Sequence, residues 1–324
     1  MSKELEIRSR LERKGIYPSE HLGQHILIDE GVLNLVANQV DSSSNVLEIG
    51  SGPGNLTEKI ARRANKVVGI EIDCKFQSFL DGVQAECPNV EIIYKDAMMV
   101  NFEKIIKDDF LRRTWQIASN LPFHISEPFL TKIADLPIED ASLIVGDQLA
   151  RRMQIDQANN PEFSKTSLIT QTFFEPSILA WIGRESFYPQ PRTDAALVSL
   201  HPRDKRELQS NPRMAILRNL FLSERKNPTV EKVIKESTGL GERRPTLSKT
   251  ENRRMGRRKS RQEIRQFARN WQSSTGLGHG KNNFVQGLEV DKLNLTKNIL
   301  SKPFSRLDNQ DLRVLVSALK KRYG

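Results

Sequence analysis

The amino-acid sequence predicts an α/β fold, an open, doubly wound, Rossmann-like sheet followed by a smaller C-terminal helical domain. Three observations carry this reading. Between residues 45 and 148 short apolar runs alternate with helix-like segments, a βαβα rhythm that builds a parallel sheet covered by helices on both faces. The first apolar run opens directly into a glycine-rich turn, "GSGPG". Beyond His201 strand-like runs give way to polar segments with apolar residues at helical spacing.

The predicted strands, in order, are "NVLEIG", "KVVGIEI", "VEIIY", "WQIASN" and "ASLIVG", with helical segments such as "NLTEKIARRA" and "CKFQSFLDGVQ" between them. Two further β-like stretches, "TSLITQTFF" and "AALVSLHP", extend the sheet to about residue 202, with the proline-punctuated "FYPQPRTD" between them. A first domain over 1–203 and a second over 204–324 follow. The second holds "PRMAILRNLFLSERK" and "SRLDNQDLRVLVSALKKR" as helices.

Composition narrows the function classes. The chain has 324 residues, 37% hydrophobic and 28% charged, and no run approaches the ~18 apolar residues that a membrane span needs. The N-terminal "MSKELEIRSRLERKG" is charged throughout and has no apolar region of the kind a secretory signal carries. A cytoplasmic protein is expected. Cys74 and Cys87 form no C-x-x-C and stand near no histidine cluster, so neither a metal site nor a disulfide framework is expected. The net charge of +10 favours a polyanionic partner.

Open parallel sheets bind ligands at the carboxyl ends of their strands, so the motifs there matter most. Gly50, Gly52 and Gly54 sit on the turn from the first strand into a helix, and their G-x-G-x-G spacing differs from the G-x-G-x-x-G of dinucleotide sites. Glu71 ends the next strand, 21 residues after Gly50, where an acid can accept hydrogen bonds from a ribose diol. Asp96 ends the third. Glycine turn and two strand-end acids together describe an adenosine pocket.

The fourth strand runs into "SNLPFHIS". There Asn120 faces the pocket, and the Leu121 carbonyl precedes Pro122, which fixes the chain in an extended form. Phe123 adds a flat apolar face. The exocyclic amine of adenine is a poor nucleophile, because its lone pair is delocalised into the ring. Accepting its two N–H groups, one at the Asn120 side-chain oxygen and one at the Leu121 carbonyl, would draw that nitrogen toward sp³ and aim the lone pair. Phe123 could hold a flipped base by stacking.

These motifs resemble those of the KsgA/Erm family of S-adenosylmethionine-dependent rRNA adenine N6-dimethyltransferases. "LGQHILID" resembles the family's N-terminal cofactor motif, "VLEIGSGPGNLTE" its glycine motif, "GIEID" and "KDAM" its acidic motifs, "NLPFHIS" its catalytic motif and "FYPQPRTDAALVSL" its F-x-P-x-P segment and last strand. The resemblance implies a class I methyltransferase sheet using S-adenosyl-L-methionine. It implies that His25, Leu27, Gly50, Glu71, Asp96 and Asn120 contact the cofactor, Glu71 at the ribose and Asp96 at the adenine. Asn120, Leu121, Pro122 and Phe123 form the catalytic segment that holds the target base, and no metal is involved. The expected partner is rRNA or a pre-ribosomal subunit, met by a monomer.

The helical domain leans toward the small-subunit (KsgA) branch, since "LRNLFLSERKNPTVEKVI" and "FSRLDNQDLRVLVSAL" resemble that branch's helices. Three other readings stand beside it: an Erm-like large-subunit methyltransferase conferring antibiotic resistance, a non-catalytic RNA-binding assembly or transcription factor, and a nicotinamide dehydrogenase. Against the family's pattern, His25 replaces the usual Asn. "GDQLARR" at 146–152 places Gly146 and Gln148 where Gln and Glu are usual.

Residues 241–265 carry ten basic and three acidic residues. Such a run is either a solvated face or a phosphate contact. Phosphate contact predicts that replacing Arg253, Arg254, Arg257, Arg258 and Lys259 with Gln flattens the slope of log K against log salt by several units, at somewhat under about one unit per contact. A solvated face predicts a slope within about one unit of wild type, because exposed charges are screened over roughly 8–10 Å. Filter binding at four salt concentrations separates the two.

Overall fold

The computed structural model describes residues 3–109, 113–223, 226–237 and 290–323. The basic run at 241–265 lies outside the described residues. The chain divides into two compact units, Met1–Gln209 with Asp308–Ser317, and Ser210–Leu307 with Ala318–Gly324.

Among the described residues of the first unit nine strands form: β1 (Ile26–Leu27), β2 (Asn45–Ile49), β3 (Lys66–Glu71), β4 (Val90–Tyr94), β5 (Trp115–Asn120), β6 (Asp140–Gly146), β7 (Phe174–Ile182), β8 (Phe187–Tyr188) and β9 (Ala195–Pro202). Seven of them make one sheet in the order β4-β3-β2-β5-β6-β9-β7. The pairs from β4 to β6 are parallel, and β9 is antiparallel to both β6 and β7. Helices connect the parallel strands, Asn55–Ala61 between β2 and β3 and Gln77–Glu86 between β3 and β4.

Strand order reverses between β2 and β5. The chain runs outward through β3 and β4, then returns to the other side of β2. This switch point leaves a crevice at the carboxyl ends of β2 and β5, where neighbouring connections diverge. β1 and β8 form a separate antiparallel pair, Ile26 opposite Tyr188 and Leu27 opposite Phe187. That pairing ties the segment before β2 to the segment before β9.

The central strands are apolar runs because both faces are covered. All five residues of β2 are buried, including Glu48. β7, at the sheet edge, alternates instead, leaving Glu175, Ser177, Leu179 and Trp181 exposed. The Arg151 guanidinium lies 4.5 Å from the Trp181 ring centroid, which covers part of that apolar edge.

One expected strand is a helix. "TSLITQTFF" is β-branched and aromatic, but residues Lys165–Phe173 are α-helical, and β7 begins only at Phe174. Ser164 caps this helix in a reciprocal capping box with Ser167. Thr170 Oγ1 donates to Thr166 O at 2.7 Å, and Thr172 Oγ1 to Leu168 O at 2.6 Å. Those back-bonds satisfy hydroxyls that burial would otherwise strand. The helix is buried nearly all round, so it lacks the polar stripe that would mark its period.

The second unit is helical among its described residues. Pro212–Ser223 and Val230–Ser237 bury Leu217, Leu220, Phe221, Val233 and Ile234. Phe221 meets Phe304 edge to face at 4.9 Å. No helix among the described residues is long and apolar enough to cross a membrane.

β3 is closely packed at its middle. A methyl group on Gly69, in the middle of β3, would stand 2.5 Å from Ser51 Oγ and 2.7 Å from Ile92 Cδ1. Gly69→Ala is expected to destabilise the protein by about 1–3 kcal/mol, read as a lower urea midpoint. An unchanged midpoint would show that β3 has room there.

Candidate active site

The crevice at the switch point is a cavity bordered by the turn after β2, the end of β3, the segment after β5 and the residues around β1. Its turn, Gly50-Ser51-Gly52-Pro53-Gly54, holds all three glycines at positive φ. Two of them cannot readily be replaced, for different reasons. A Cβ on Gly50 would lie 3.3 Å from the Pro122 ring, so the turn and the segment after β5 touch at this point. A Cβ on Gly54, at φ 88°, would lie 2.7 Å from Val83 Cγ2. The glycines thus supply both a left-handed backbone and close approach.

Two carboxylates fasten this turn. Glu71, at the end of β3, accepts from Gly52 N through Oε2 at 2.7 Å and from Asp73 N through Oε1 at 2.8 Å. Each oxygen has a lone pair left for a ligand donor such as a ribose hydroxyl. Burial pushes the Glu71 carboxyl up, and backbone bonds from Asp73, Gly52 and Ile72 oppose that shift. Glu48, inside β2, accepts through Oε2 from Ser51 Oγ at 2.8 Å and from Thr57 Oγ1 at 2.6 Å. It is 1% exposed, and burial pushes its pKa to about 7 against these hydroxyl bonds, with Glu71 adding like-charge repulsion.

Asn120 ends β5 and faces the same cavity. Its Nδ2 donates to the His25 carbonyl at 2.7 Å, which turns Oδ1 away to act as an acceptor. His25 Nδ1 donates to the Pro189 carbonyl at 2.8 Å, and that bond fixes the proton on Nδ1 because a carbonyl only accepts. The His25 and Phe123 rings stand 5.8 Å apart. Leu121 N donates to Ile144 O at 3.1 Å, carrying the β5–β6 pairing one residue past Asn120. Phe123 borders both this cavity and a second cleft beside it.

His25, Leu27, Gly50, Glu71, Asn120, Leu121, Pro122 and Phe123 therefore meet around one cavity. Asp96 is placed differently. It stands after β4 and turns its Oδ1 to Met98 N at 2.8 Å, capping a short turn, and it is not among the residues bordering the cavity. His25 joins through its backbone carbonyl and its ring, and Leu27 through a carbonyl that accepts from Asn55 Nδ2 at 3.0 Å.

Sequence reasoning missed two residues that shape this site. Glu48 carried a signal, an acid inside an otherwise apolar strand followed by two hydroxyl residues. Gln24 carried none. It accepts from Ser19 N at 2.7 Å and donates to Asp73 Oδ2 at 2.9 Å, linking the N-terminal segment to the residues after Glu71. No group of three or more His, Cys, Asp or Glu side chains that could hold a metal ion is found among the described residues.

Comparison with known proteins bears on this arrangement. A family model described as ribosomal RNA adenine dimethylase matches residues 19–269. The chain is 34% identical over 230 residues to a probable ribosomal RNA small subunit methyltransferase A of Pyrococcus abyssi, covering 70% of this chain and 79% of that protein. It is 28% identical over 234 residues to the ribosomal RNA small subunit methyltransferase A of Alkaliphilus oremlandii, covering 71% and 75%. A solved dimethyladenosine transferase from Plasmodium falciparum shares the fold, with a TM-score of 0.51 at 23% identity over 92% of this chain and 99% of that one.

Glu48 gives the site a pH signature. Its folded pKa of about 7 lies above its ordinary value of 4.5, so the folded state binds this proton more tightly than the unfolded chain does. The resulting stability is full below about pH 4.5 and is lost as pH rises through about 7, by at most about 3 kcal/mol. Glu48→Gln removes this component while keeping an acceptor for Ser51 and Thr57. Urea unfolding at pH 5, 6.5 and 8 is expected to show the variant gaining on wild type as pH rises. Parallel pH profiles would contradict the assignment.

Proposed function

The chain belongs to the ribosomal RNA adenine dimethylase family, and from that premise we propose that the cavity at the ends of β2, β3 and β5 binds S-adenosylmethionine beside an rRNA adenine held at Asn120, Leu121 and Phe123. The activity is that of an rRNA adenine dimethyltransferase, directed at small-subunit rRNA as in the named relatives. S-adenosylmethionine, when bound, supplies a methyl group made electrophilic by its sulfonium.

The residues present suit that group. Glu71 offers two partly used carboxylate oxygens to a ribose diol, and the glycine turn lets a ligand approach the backbone closely. Ile72, 51% exposed beside Glu71, provides an apolar wall suited to an adenine ring. Asp96, at the next strand end, is assigned to that ring's amino group.

The observation that carries the reading is the orientation of Asn120. With Nδ2 held by the His25 carbonyl, Oδ1 is left to accept an N–H of the target amine, and the Leu121 carbonyl takes the other. Both bonds favour a pyramidal nitrogen, and the lone pair then points to the methyl donor. Phe123 stacks the base. Because its ring borders both cavities, it stands where a base entering through the cleft meets the cofactor. Residues 204–324 are assigned to RNA binding, and the enzyme to a monomer acting in the cytoplasm.

Two sets of variants test this. Glu71→Ala is expected to weaken S-adenosylmethionine binding by about 1.5–3 kcal/mol, roughly ten-fold or more, and unchanged affinity by calorimetry would remove Glu71 from the cofactor site. Asn120→Ala is expected to abolish methyl transfer while RNA affinity stays nearly the same, since RNA is held mainly through phosphates. Phe123→Ala is expected to lose activity and Phe123→Tyr to keep much of it. Full activity of Phe123→Ala would end the stacking assignment.

A further inference from the structure

The second cleft shares Phe123 with the first, has none of the glycine turn among its bordering residues, and is an open cleft of about 360 Å³, within the ~300–1,000 Å³ usual for ligand pockets. Phe123, His124, Glu127, Asp147, Arg152 and Thr193 are among the residues bordering it. Gly146 borders it beside the Phe123 ring, where a Cβ would stand at ordinary contact distance, 4.0 Å, from Phe123 Cδ2.

Asp147 is the unexplained member of this cleft. It is the first residue of the helix Asp147–Met153, but no side chain caps that helix. Its backbone N–H is used, donating to Asp194 O at 3.0 Å. Its Oδ1 is buried and has no hydrogen-bond partner among the described residues. A carboxylate oxygen held out of water without a donor is costly, so the side chain has acceptor capacity that the fold itself does not use, and turning the carboxylate toward the cleft that Asp147 borders would offer it to a ligand.

The charge of Asp147 restricts what can use it. A carboxylate repels phosphate, and phosphates are gripped by cations and N–H donors. The cleft has such a cation in Arg152, whose Nη1 lies 3.3 Å from Glu127 Oε1 and whose guanidinium carries further N–H donors. An ionised carboxylate can only accept, so its match in RNA is an amino edge. Asp and Glu accept from base amino groups in this way, and unstacked bases are read on such edges in single-stranded RNA.

We infer that Asp147 is a base-reading residue: its carboxylate accepts a hydrogen bond from the amino group of the nucleobase next to the target adenine, which sits in the cleft bounded by Phe123 and Gly146. The inference rests on the proposed methyl transfer to rRNA adenine and adds to it a sequence preference at one flanking position. Asp147 acts on substrate choice and takes no part in the transfer itself.

The test compares each enzyme with itself on two RNAs. Small-subunit rRNA is assembled with a synthetic segment in which the amino-bearing base on either side of the methylated adenine is replaced by its des-amino analogue, purine for adenine or inosine for guanine. Initial rates of methyl transfer give kcat/KM for each RNA. Wild type is expected to lose about ten-fold on one of the two replacements, the scale of one hydrogen bond to a charged group. Asp147→Ala is expected to show no difference between amino and des-amino RNA, and Asp147→Asn, which keeps an acceptor oxygen, to recover part of the preference.

Because the readout is a ratio within one enzyme, a smaller folded fraction cancels. An equal loss in wild type and Asp147→Ala would overturn the inference. So would indifference of wild type to both replacements, or a loss that follows removal of the neighbouring 2′-hydroxyl rather than the amino group. Absence of methyl transfer by wild type to every RNA would instead overturn the proposed function, and this inference with it.

Discussion

Two buried carboxylates on neighbouring strands hold the turn between β2 and the helix Asn55–Ala61, and the active-site geometry depends on that grip. Glu71 binds the turn through Gly52 N, and Glu48 binds it through the Ser51 and Thr57 hydroxyls. The turn in turn seats Pro122 against Gly50, which sets where Asn120 and Phe123 stand. Burying two acids side by side is costly unless each is hydrogen-bonded. Three of the bonds to them come from this turn or the helix that continues it, and another from Asp73 N after β3, so desolvation and loop order are linked.

A second set of contacts joins segments far apart in the chain. Pro189 accepts from the His25 ring, and the His25 carbonyl accepts from Asn120, while β1 and β8 pair directly beneath. Residues near positions 25, 120 and 189 are thereby held as one wall. Both links use a backbone carbonyl as acceptor, but the one to Pro189 needs a side-chain donor at 25, whereas the one to Asn120 does not. A histidine there holds Asn120 through the same main-chain oxygen any residue would offer.

What was legible in the sequence follows from how local each signal is. The strand-end positions of Gly50, Glu71 and Asn120 could be read because parallel strands present their last residues to one edge, and each apolar run shows where it ends. The helix Lys165–Phe173 could not, since burial on all sides removes the polar stripe, and its threonines satisfy themselves through i−4 carbonyls that no composition reveals. β7 was hidden for the opposite reason. As an edge strand its outward residues include Glu175 and Ser177, with Pro176 between them, so its first half offers no apolar alternation to read. Glu48 was visible as an acid in an apolar run, yet its role needed the distance to Thr57. Asp96 shows the limit of the edge argument, since the strand end places the residue but a local backbone bond decides where its carboxylate turns.

The central claim is that this fold brings a methyl donor and an rRNA adenine together at Asn120. It is tested most directly by incubating the purified protein with unmethylated small-subunit rRNA, or subunits built from it, and isotopically labelled S-adenosylmethionine. The RNA is then digested to nucleosides for mass spectrometry. The account predicts label in N6,N6-dimethyladenosine, located to a defined adenine site in the intact RNA. Label confined to another nucleoside, or none above a heat-inactivated control, would contradict it.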